Sequence, residues 1–103
     1  MLITEHAFQR LKERVNEKIT AEQAIELATK AYYQGKTSGH FIETDVDLAM
    51  YLSYKQNKYL NKTIRLLGDM IYVYDLAKKV LITCYPSEFD SWKNNRKKYL
   101  HKK

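Results

Sequence analysis

The chain has 103 residues, enough for one domain with a modest core, and this length excludes a second domain. Apolar residues at 45% and charged residues at 29% are typical of globular proteins and exclude wholesale disorder. The formal net charge of +6 lies entirely in residues 93–103, because residues 1–92 carry equal numbers of acidic and basic side chains. We therefore expect a neutral single domain over residues 1–92 and a separate basic tail over residues 93–103.

The single cysteine and the N-terminal residues indicate the compartment. Cys84 has no second cysteine to pair with, whereas small secreted domains usually carry several disulfides. The first residues lack the basic start and apolar run of a signal peptide, and no stretch approaches the ~18 consecutive apolar residues that span a bilayer. The sequence therefore predicts a cytoplasmic protein that does not contact a membrane.

Two helices are expected in the N-terminal third. Thr4 is a suitable N-cap for a helix over residues 5–16, whose helical spacing predicts a buried stripe. That stripe consists of Phe8, Leu11 and Val15. Residues 20–23 fit the capping-box pattern and predict a second helix that continues to Gly35. Its apolar positions are Ala24, Ile25, Ala28, Ala31 and Tyr32.

The middle of the chain is less regular. Residues 36–44 have no firm periodicity and predict a loop. Asp45 is a suitable N-cap for a third helix. The apolar side of that helix would carry Leu48, Tyr51, Leu52 and Tyr59. Because tyrosine-rich segments also pair as strands, a strand is the alternative here.

The character of the sequence changes at residue 63. Three short segments rich in β-branched and aromatic residues follow, at residues 63–67, 70–75 and 80–85, and their short links predict an antiparallel meander. Beyond Pro86, apolar residues at helical spacing predict a terminal helix over residues 88–100. The fold class is therefore α+β, with N-terminal helices packed on a C-terminal antiparallel sheet of three or more strands, followed by a basic C-terminal helix or tail.

The expected core follows from this arrangement. Helices that cover one face of a sheet bury alternate strand residues, so Ile71 and Val73 should share the inner face. The nine tyrosines are expected on half-buried surfaces, where the ring packs and the hydroxyl stays wet. The residues expected to be largely buried are Phe8, Leu11, Ile25, Ala28, Ile71, Val73, Leu81 and Trp92.

His6, Arg10 and Arg14 are spaced four apart and would form one stripe along the first helix. This set suits a phosphodiester, because arginine binds phosphate oxygens through forked hydrogen bonds and histidine can move a proton near neutral pH. The alternative is an ordinary solvated helix edge, on which Arg10 pairs with Glu13 or Glu17.

The segment 3–14, with the sequence ITEHAFQRLKER, resembles a pattern that recurs in small bacterial proteins. The pattern is His-Ala, then Arg three residues after the Ala, then Glu-Arg. It belongs to the barnase–EndoU–colicin–RelE-like superfamily, which includes toxin ribonucleases and uncharacterised relatives. The segment 81–86, LITCYP, is similar to the closing strand of that superfamily. The likeness covers the N-terminal helices and the C-terminal strands.

The resemblance implies two helices before an antiparallel sheet whose face holds metal-independent RNA-cleaving residues. It implies catalytic roles for His6, Arg10 and Arg14 in the first helix, and for Thr83 and Tyr85 in the last strand. His6 would be the general acid or base, the arginines would clamp the phosphate, and Tyr85 would be a second proton donor. Thr83 and Tyr85 are two apart on a strand and should point to the same face, although ordinary sheet positions are the alternative for both.

Other reactive side chains carry weaker signals. No metal or cofactor is expected, because the sequence has neither a Cys/His zinc spacing nor a glycine-rich phosphate cradle. One acidic cluster is explained by a helix N-terminus; it consists of Glu43, Asp45 and Asp47. Cys84 is expected to be a packing residue. The spacing of Arg96 and His101 resembles that of the all-helical HEPN ribonucleases, but the three predicted strands argue against that fold.

The sequence thus predicts a metal-independent ribonuclease-like protein of toxin type that acts on RNA phosphodiesters and has an antitoxin or other protein partner. The alternative is a non-catalytic phage or bacterial adaptor or regulator that binds a protein or nucleic acid with the same fold, since the superfamily includes inactive binding members. In either case the tail would contact nucleic-acid phosphates. Its cations are Lys93, Arg96, Lys97, Lys98, Lys102 and Lys103.

Overall fold

A computed structural model of the protein describes the backbone of residues 1–100 and the side chains of residues 1–96. The helices are α1 (Glu5–Arg14), α2 (Ala21–Gln34), α3 (Val46–Asn57) and α4 (Phe89–Leu100), with a short 3₁₀ helix at Ser38–Phe41. The strands are β1 (Leu2–Ile3), β2 (Lys62–Leu67), β3 (Met70–Asp75) and β4 (Val80–Pro86). His101, Lys102 and Lys103 lie outside the described residues, as do the side chains of Lys97 and Lys98.

The four strands form one sheet in the order β1-β4-β3-β2. Strands β2, β3 and β4 are antiparallel, so the predicted meander and the α+β class are confirmed. Strand β1 was not predicted; it pairs in parallel with β4, which makes the sheet mixed. With two residues, β1 is too short to give a readable alternation in the sequence.

Helices cover both faces of the sheet, whereas the sequence predicted helices on one face. Tyr72 and Tyr74 of β3 are buried against α1 and α2. Ile71 and Val73, which do share a face as predicted, are buried against α3 on the opposite side. All four residues are therefore inaccessible, and β3 is an interior strand of a three-layer structure.

The helix starts follow the capping residues. The Thr4 hydroxyl accepts a hydrogen bond from the Ala7 amide at 3.0 Å. Thr20 and Gln23 form the predicted capping box, each accepting from the backbone of the other. Asp45 accepts from the Leu48 amide at 3.2 Å, so the helix prediction for α3 is confirmed over the strand alternative.

Most of the predicted core is buried, with two exceptions. Leu11, Ala28, Ile71, Val73 and Leu81 are fully buried, whereas Phe8 and Trp92 are half-buried. The predictions for Val15 and Ile25 are wrong, since 45% and 37% of their surfaces are exposed. Val15 lies beyond the end of α1, where the helical period no longer applies. Ile25 is displaced around α2 from a row of buried alanines, which let the helix lie close to the sheet; they are Ala24, Ala28 and Ala31.

Strand β2 lies at the edge of the sheet, and several of its outward backbone groups are bonded. The side-chain amide of Gln56 donates to the Lys62 carbonyl at 2.7 Å and accepts from the Ile64 amide at 3.0 Å. Lys36 and Leu66 exchange two backbone hydrogen bonds of 2.8 Å. This contact orders part of the segment 36–44, which the sequence predicted to be a loop. The α3 side chain and the Lys36 backbone thus cover the edge.

Gly35, at the C-terminal end of α2, is required by a close approach of the chain. A Cβ atom here would overlap the Ala31 carbonyl oxygen and lie 2.8 Å from the Cβ of Arg65. Because these obstacles are backbone and strand atoms, we expect Gly35→Ala to lower the free energy of unfolding by about 1–3 kcal/mol. Urea unfolding followed by circular dichroism measures this change.

Gly39 provides the matched control. A Cβ atom there would meet only the Thr37 hydroxyl oxygen, at 3.9 Å. Gly39→Ala should therefore change the stability by much less than Gly35→Ala. Equal losses in the two variants would contradict the steric explanation.

Candidate nucleic-acid interface

The three residues of the predicted α1 stripe lie together on one side of the helix. His6 and Arg14 are exposed, and Arg10 is partly exposed. The Arg10 Nε donates to His6 Nε2 over 3.5 Å, a long contact. Arg14 Nη1 donates to the Cys84 carbonyl oxygen of β4 at 2.7 Å, which ties the end of α1 to the sheet.

Both arginines of the stripe already have partners. Arg10 Nη1 lies 2.9 Å from the Glu13 carboxylate, so the predicted alternative pairing is present. An exposed pair of this kind contributes little stability, and an incoming phosphate could replace Glu13. The side chain of Arg14 lines a shallow depression of about 520 Å³ at the end of α1; His6 and Arg10 are not among its lining residues.

Thr83 and Tyr85 share a face, as predicted, but it is the face opposite α1. In the β3–β4 ladder, Thr83 pairs with Val73 and Tyr85 pairs with Ile71. Val73 and Ile71 point toward α3, and paired residues of an antiparallel ladder point the same way. The structure therefore brings His6, Arg10 and Arg14 together and separates them from the two strand residues by the thickness of the sheet.

Tyr85 is packed into the layer between β4 and α3. The Lys55 Nζ lies 5.5 Å from the centre of its ring, and the Tyr59 hydroxyl is its neighbour. Burial raises the pKa of Tyr85 well above its usual range, and the nearby Tyr59 hydroxyl adds to this rise. A phenol so placed keeps its proton at neutral pH and has no open path to a phosphodiester on the α1 side.

Cys84 is completely buried on the α1 side of the sheet. Burial raises the pKa of its thiol to about 11, despite the opposing influence of Arg14 and Arg10. The thiol is therefore protonated at neutral pH, and Cys84 is a packing residue as predicted.

A second cationic surface is formed by α4, which is anchored on α3 through aromatic contacts. The ring centres of Phe89 and Trp92 lie 5.6 and 5.5 Å from that of buried Tyr51. The Tyr54 ring stacks on Trp92 at 6.4 Å with an angle of 29° between the planes. On the next turn of α4, the Arg96 guanidinium lies 5.5 Å from the centre of the Trp92 ring. The first half of α4 is thus fixed to the domain.

The basic residues of α4 begin within its anchored part. Lys93 Nζ and Arg96 Nη1 lie 3.7 and 3.8 Å from the Asp47 carboxylate of α3, with all three side chains more than a third exposed. Lys97 and Lys98 follow in the last turns of the helix. Helix α4 crosses the predicted boundary at residue 93 without a break, so the first part of the basic segment is helical.

Within the part of the chain that the structure describes, no group of three or more His, Cys, Asp or Glu side chains is arranged to hold a metal ion. The carboxylates of Asp45 and Asp47 are used in the helix cap and in the contacts with α4. Across residues 1–100, no helix is both long and apolar enough to cross a membrane.

Comparisons of the chain with protein-family models, with curated proteins and with solved structures found no match. The superfamily resemblance therefore stays a prediction, and the functional argument depends on the residues of this chain.

Proposed function

We propose that the protein is a non-catalytic RNA-binding protein that holds single-stranded RNA against α4. The observation that carries this proposal is the anchoring of a basic helix by Phe89 and Trp92, which displays cations beside a partly exposed indole. Lys93 and Arg96 are the described cations of this surface, and the sequence continues with Lys97, Lys98, Lys102 and Lys103.

The chemistry of this surface suits a single strand. Cations along a groove or helix bind the phosphates, and an aromatic face beside them accepts a base by stacking, worth about 1–3 kcal/mol per base. Because Tyr54 and Arg96 already lie against the Trp92 ring, a base would stack there by displacing Arg96. Duplex DNA, whose bases are already stacked, would use only the cations of the same surface. The preference for RNA over single-stranded DNA comes from the sequence resemblance alone.

The separation of the implied catalytic residues favours binding over cleavage. Cleavage without a metal needs a base, an acid and cations within reach of one phosphate. Tyr85, the implied second proton donor, lies across the sheet from His6. The toxin ribonuclease, with its antitoxin partner, remains the competing prediction.

A cleavage assay separates the two functions. We expect a mixed RNA pool to stay intact when it is incubated in EDTA with the wild-type protein or with His6→Ala, as gel electrophoresis would show. If the protein is instead a ribonuclease, the wild type should cleave RNA but not DNA, and His6→Ala should lower that rate by roughly 100- to 10,000-fold. That second result would overturn the proposed function. Equal cleavage by both proteins would indicate a contaminant or another site.

A further inference from the structure

A cluster of cationic and aromatic side chains lies between α2 and β2, on the face of the sheet opposite α3. Arg65 of β2 pairs with Tyr72, which is buried against α1 and α2, and paired residues of a ladder point the same way. The Arg65 guanidinium lies 5.0 Å from the centre of the Tyr32 ring of α2, and the Lys79 Nζ lies 5.8 Å from it. Two positive charges therefore share one aromatic ring, across the sheet from the cationic surface of α4.

The Arg65 guanidinium is held by neutral acceptors. Its Nε donates to the Tyr32 carbonyl at 3.3 Å, and its Nη1 donates to the Ile64 carbonyl at 3.1 Å and to the Thr63 hydroxyl. Among residues 1–96, no carboxylate forms an ion pair with Arg65 or Lys79, and the two N–H groups of Arg65 Nη2 make no hydrogen bond. A partly buried arginine in this state fits an anion supplied by a ligand.

The acidic side chains beside this cluster have other positions or partners. The Asp75 carboxylate accepts hydrogen bonds from the Ala77 and Lys78 amides, at 3.0 and 2.8 Å, and so closes the β3–β4 turn. Glu26 of α2 is exposed and precedes Tyr32 by six residues, about 9 Å along the helix axis. Neither carboxylate pairs with the two cations, so the surface beside Tyr32 keeps its positive charge.

Lys79 occupies a backbone position that favours glycine. Its φ is 54°, in the left-handed region, where hairpin loops commonly place glycine. The other non-glycine residue of the described chain with a positive φ is Asn61, and asparagine tolerates this region. A lysine in a strained conformation points to a task for its side chain, because such positions cluster where ligands are held.

We propose that Arg65 and Lys79 bind the phosphate monoester of a nucleotide whose base stacks on Tyr33. A phosphate monoester carries about 1.5–2 negative charges at neutral pH, which two cations match, and arginine binds its oxygens through forked hydrogen bonds. The Tyr33 ring is 70% exposed and meets the Tyr32 ring edge to face at 5.1 Å, so it can accept a base. The monoester belongs either to a free nucleotide or to the 5′ end of an RNA strand. This site does not depend on α4.

Calorimetric titration of the wild-type protein with AMP, adenosine and inorganic phosphate tests the proposal. We expect AMP to bind more tightly than the other two, because adenosine lacks the phosphate and inorganic phosphate lacks the base. Arg65→Lys should lower the affinity for AMP about tenfold, since an ammonium keeps the charge but loses the fork. No binding of AMP, or equal binding of AMP and adenosine, would overturn the proposal.

Lys79→Gly separates the role of the cation from the stability of the fold. It removes one charge and the backbone strain, so AMP should bind about threefold more weakly while the urea midpoint of unfolding rises. Lys78→Gly is the matched control, because it removes the same charge from an exposed neighbour whose φ is not positive. It should lower the unfolding midpoint and leave AMP binding unchanged. Equal losses of AMP affinity in the two variants would contradict a specific phosphate site.

Tyr33→Ala tests the contact with the base. It should weaken the binding of AMP about tenfold, the usual scale of base stacking on an aromatic ring, and leave the binding of inorganic phosphate unchanged. The exposure of Tyr33 gives no reason for unfolding, and circular dichroism checks this. If Tyr33→Ala weakens both ligands equally, or if inorganic phosphate binds the wild type as tightly as AMP, the nucleotide assignment fails.

Competition with RNA oligomers distinguishes the two sources of the phosphate. A 5′-phosphorylated oligomer should displace AMP if the site takes the end of an RNA strand, and should not displace it if the site takes free nucleotides alone. An oligomer with a 5′ hydroxyl or a 5′ label lacks the monoester and should not compete in either case. Equal displacement by the phosphorylated and hydroxyl oligomers would show that chain phosphates bind here, and would overturn the recognition of a monoester.

Discussion

Replacing Lys97, Lys98, Lys102 and Lys103 by Gln should lower the affinity for single-stranded RNA by about a hundredfold near physiological salt. Each cation that contacts a phosphate releases bound counterions, and each one removed makes the dependence of log affinity on log salt shallower by about 0.7. The helix should persist in this variant, because Phe89, Trp92 and Arg96 make its described contacts with α3. Fluorescence anisotropy with a labelled oligonucleotide, repeated at several salt concentrations, measures both quantities.

A variant with the same change in net charge is the control. It replaces four exposed lysines away from α4, namely Lys18, Lys30, Lys78 and Lys79. We expect this variant to bind RNA nearly as well as the wild type, since these residues do not share a surface with Trp92. Equal losses in the two variants would mean that only the overall charge attracts RNA, and would contradict a binding surface on α4.

Tyr51→Ala should lower the free energy of unfolding by about 3–5 kcal/mol, the usual cost of removing a large buried ring. Tyr51 is completely buried between the sheet and α4, and its ring contacts both Phe89 and Trp92. Its hydroxyl accepts a hydrogen bond from the Glu88 amide at 2.9 Å, just before α4 begins. Domains of this size have a free energy of unfolding of about 5–15 kcal/mol, so the expected loss is a large share of the total. Urea unfolding would measure it.

Tyr51→Phe isolates the hydroxyl from the ring. It keeps the aromatic packing and removes only the hydrogen bond to the Glu88 amide, so we expect a loss of about 1 kcal/mol. Tyr51→Ala should also weaken RNA binding, because α4 would lose the surface that holds it. Equal losses of stability in the two variants would show that α4 does not depend on the ring.

The local structure could be predicted well from the sequence, because its signals lie within a few residues. Thr4, Thr20 and Asp45 cap helices through their own side chains. Alternating apolar residues and short links marked the three strands of the meander. The two-residue strand β1 could not be found this way, since its pairing with β4 joins residues far apart in the chain.

The burial of the tyrosines depends on partners that the sequence does not reveal. The sequence favoured half-buried rings with wet hydroxyls, yet Tyr72 and Tyr74 are almost completely buried. Burial raises the pKa of Tyr72 to about 12. The Tyr74 hydroxyl donates a hydrogen bond to the Ala28 carbonyl of α2 at 2.6 Å. A backbone carbonyl in another element is therefore what allows the Tyr74 ring into the core.

The candidate site was predictable only in parts. Spacing alone placed His6, Arg10 and Arg14 on one side of α1, and Thr83 with Tyr85 on one face of β4. Residue spacing could not show whether the α1 stripe and this face of β4 lie on the same side of the sheet, because that depends on the side against which α1 packs. For α3, spacing predicted the side that carries Leu48, Tyr51 and Leu52, and this side does pack against the sheet.

The covered edge of β2 restricts how this protein can associate with other chains. An open edge strand can recruit a strand from another molecule and so start domain swapping or fibril growth. Here the Gln56 amide bonds the Lys62 carbonyl and the Ile64 amide, which an added strand would need, and Lys36 bonds both backbone groups of Leu66. Concentrated solutions of the protein should therefore resist amyloid nucleation at this edge, and Gln56→Ala should make them more prone to it.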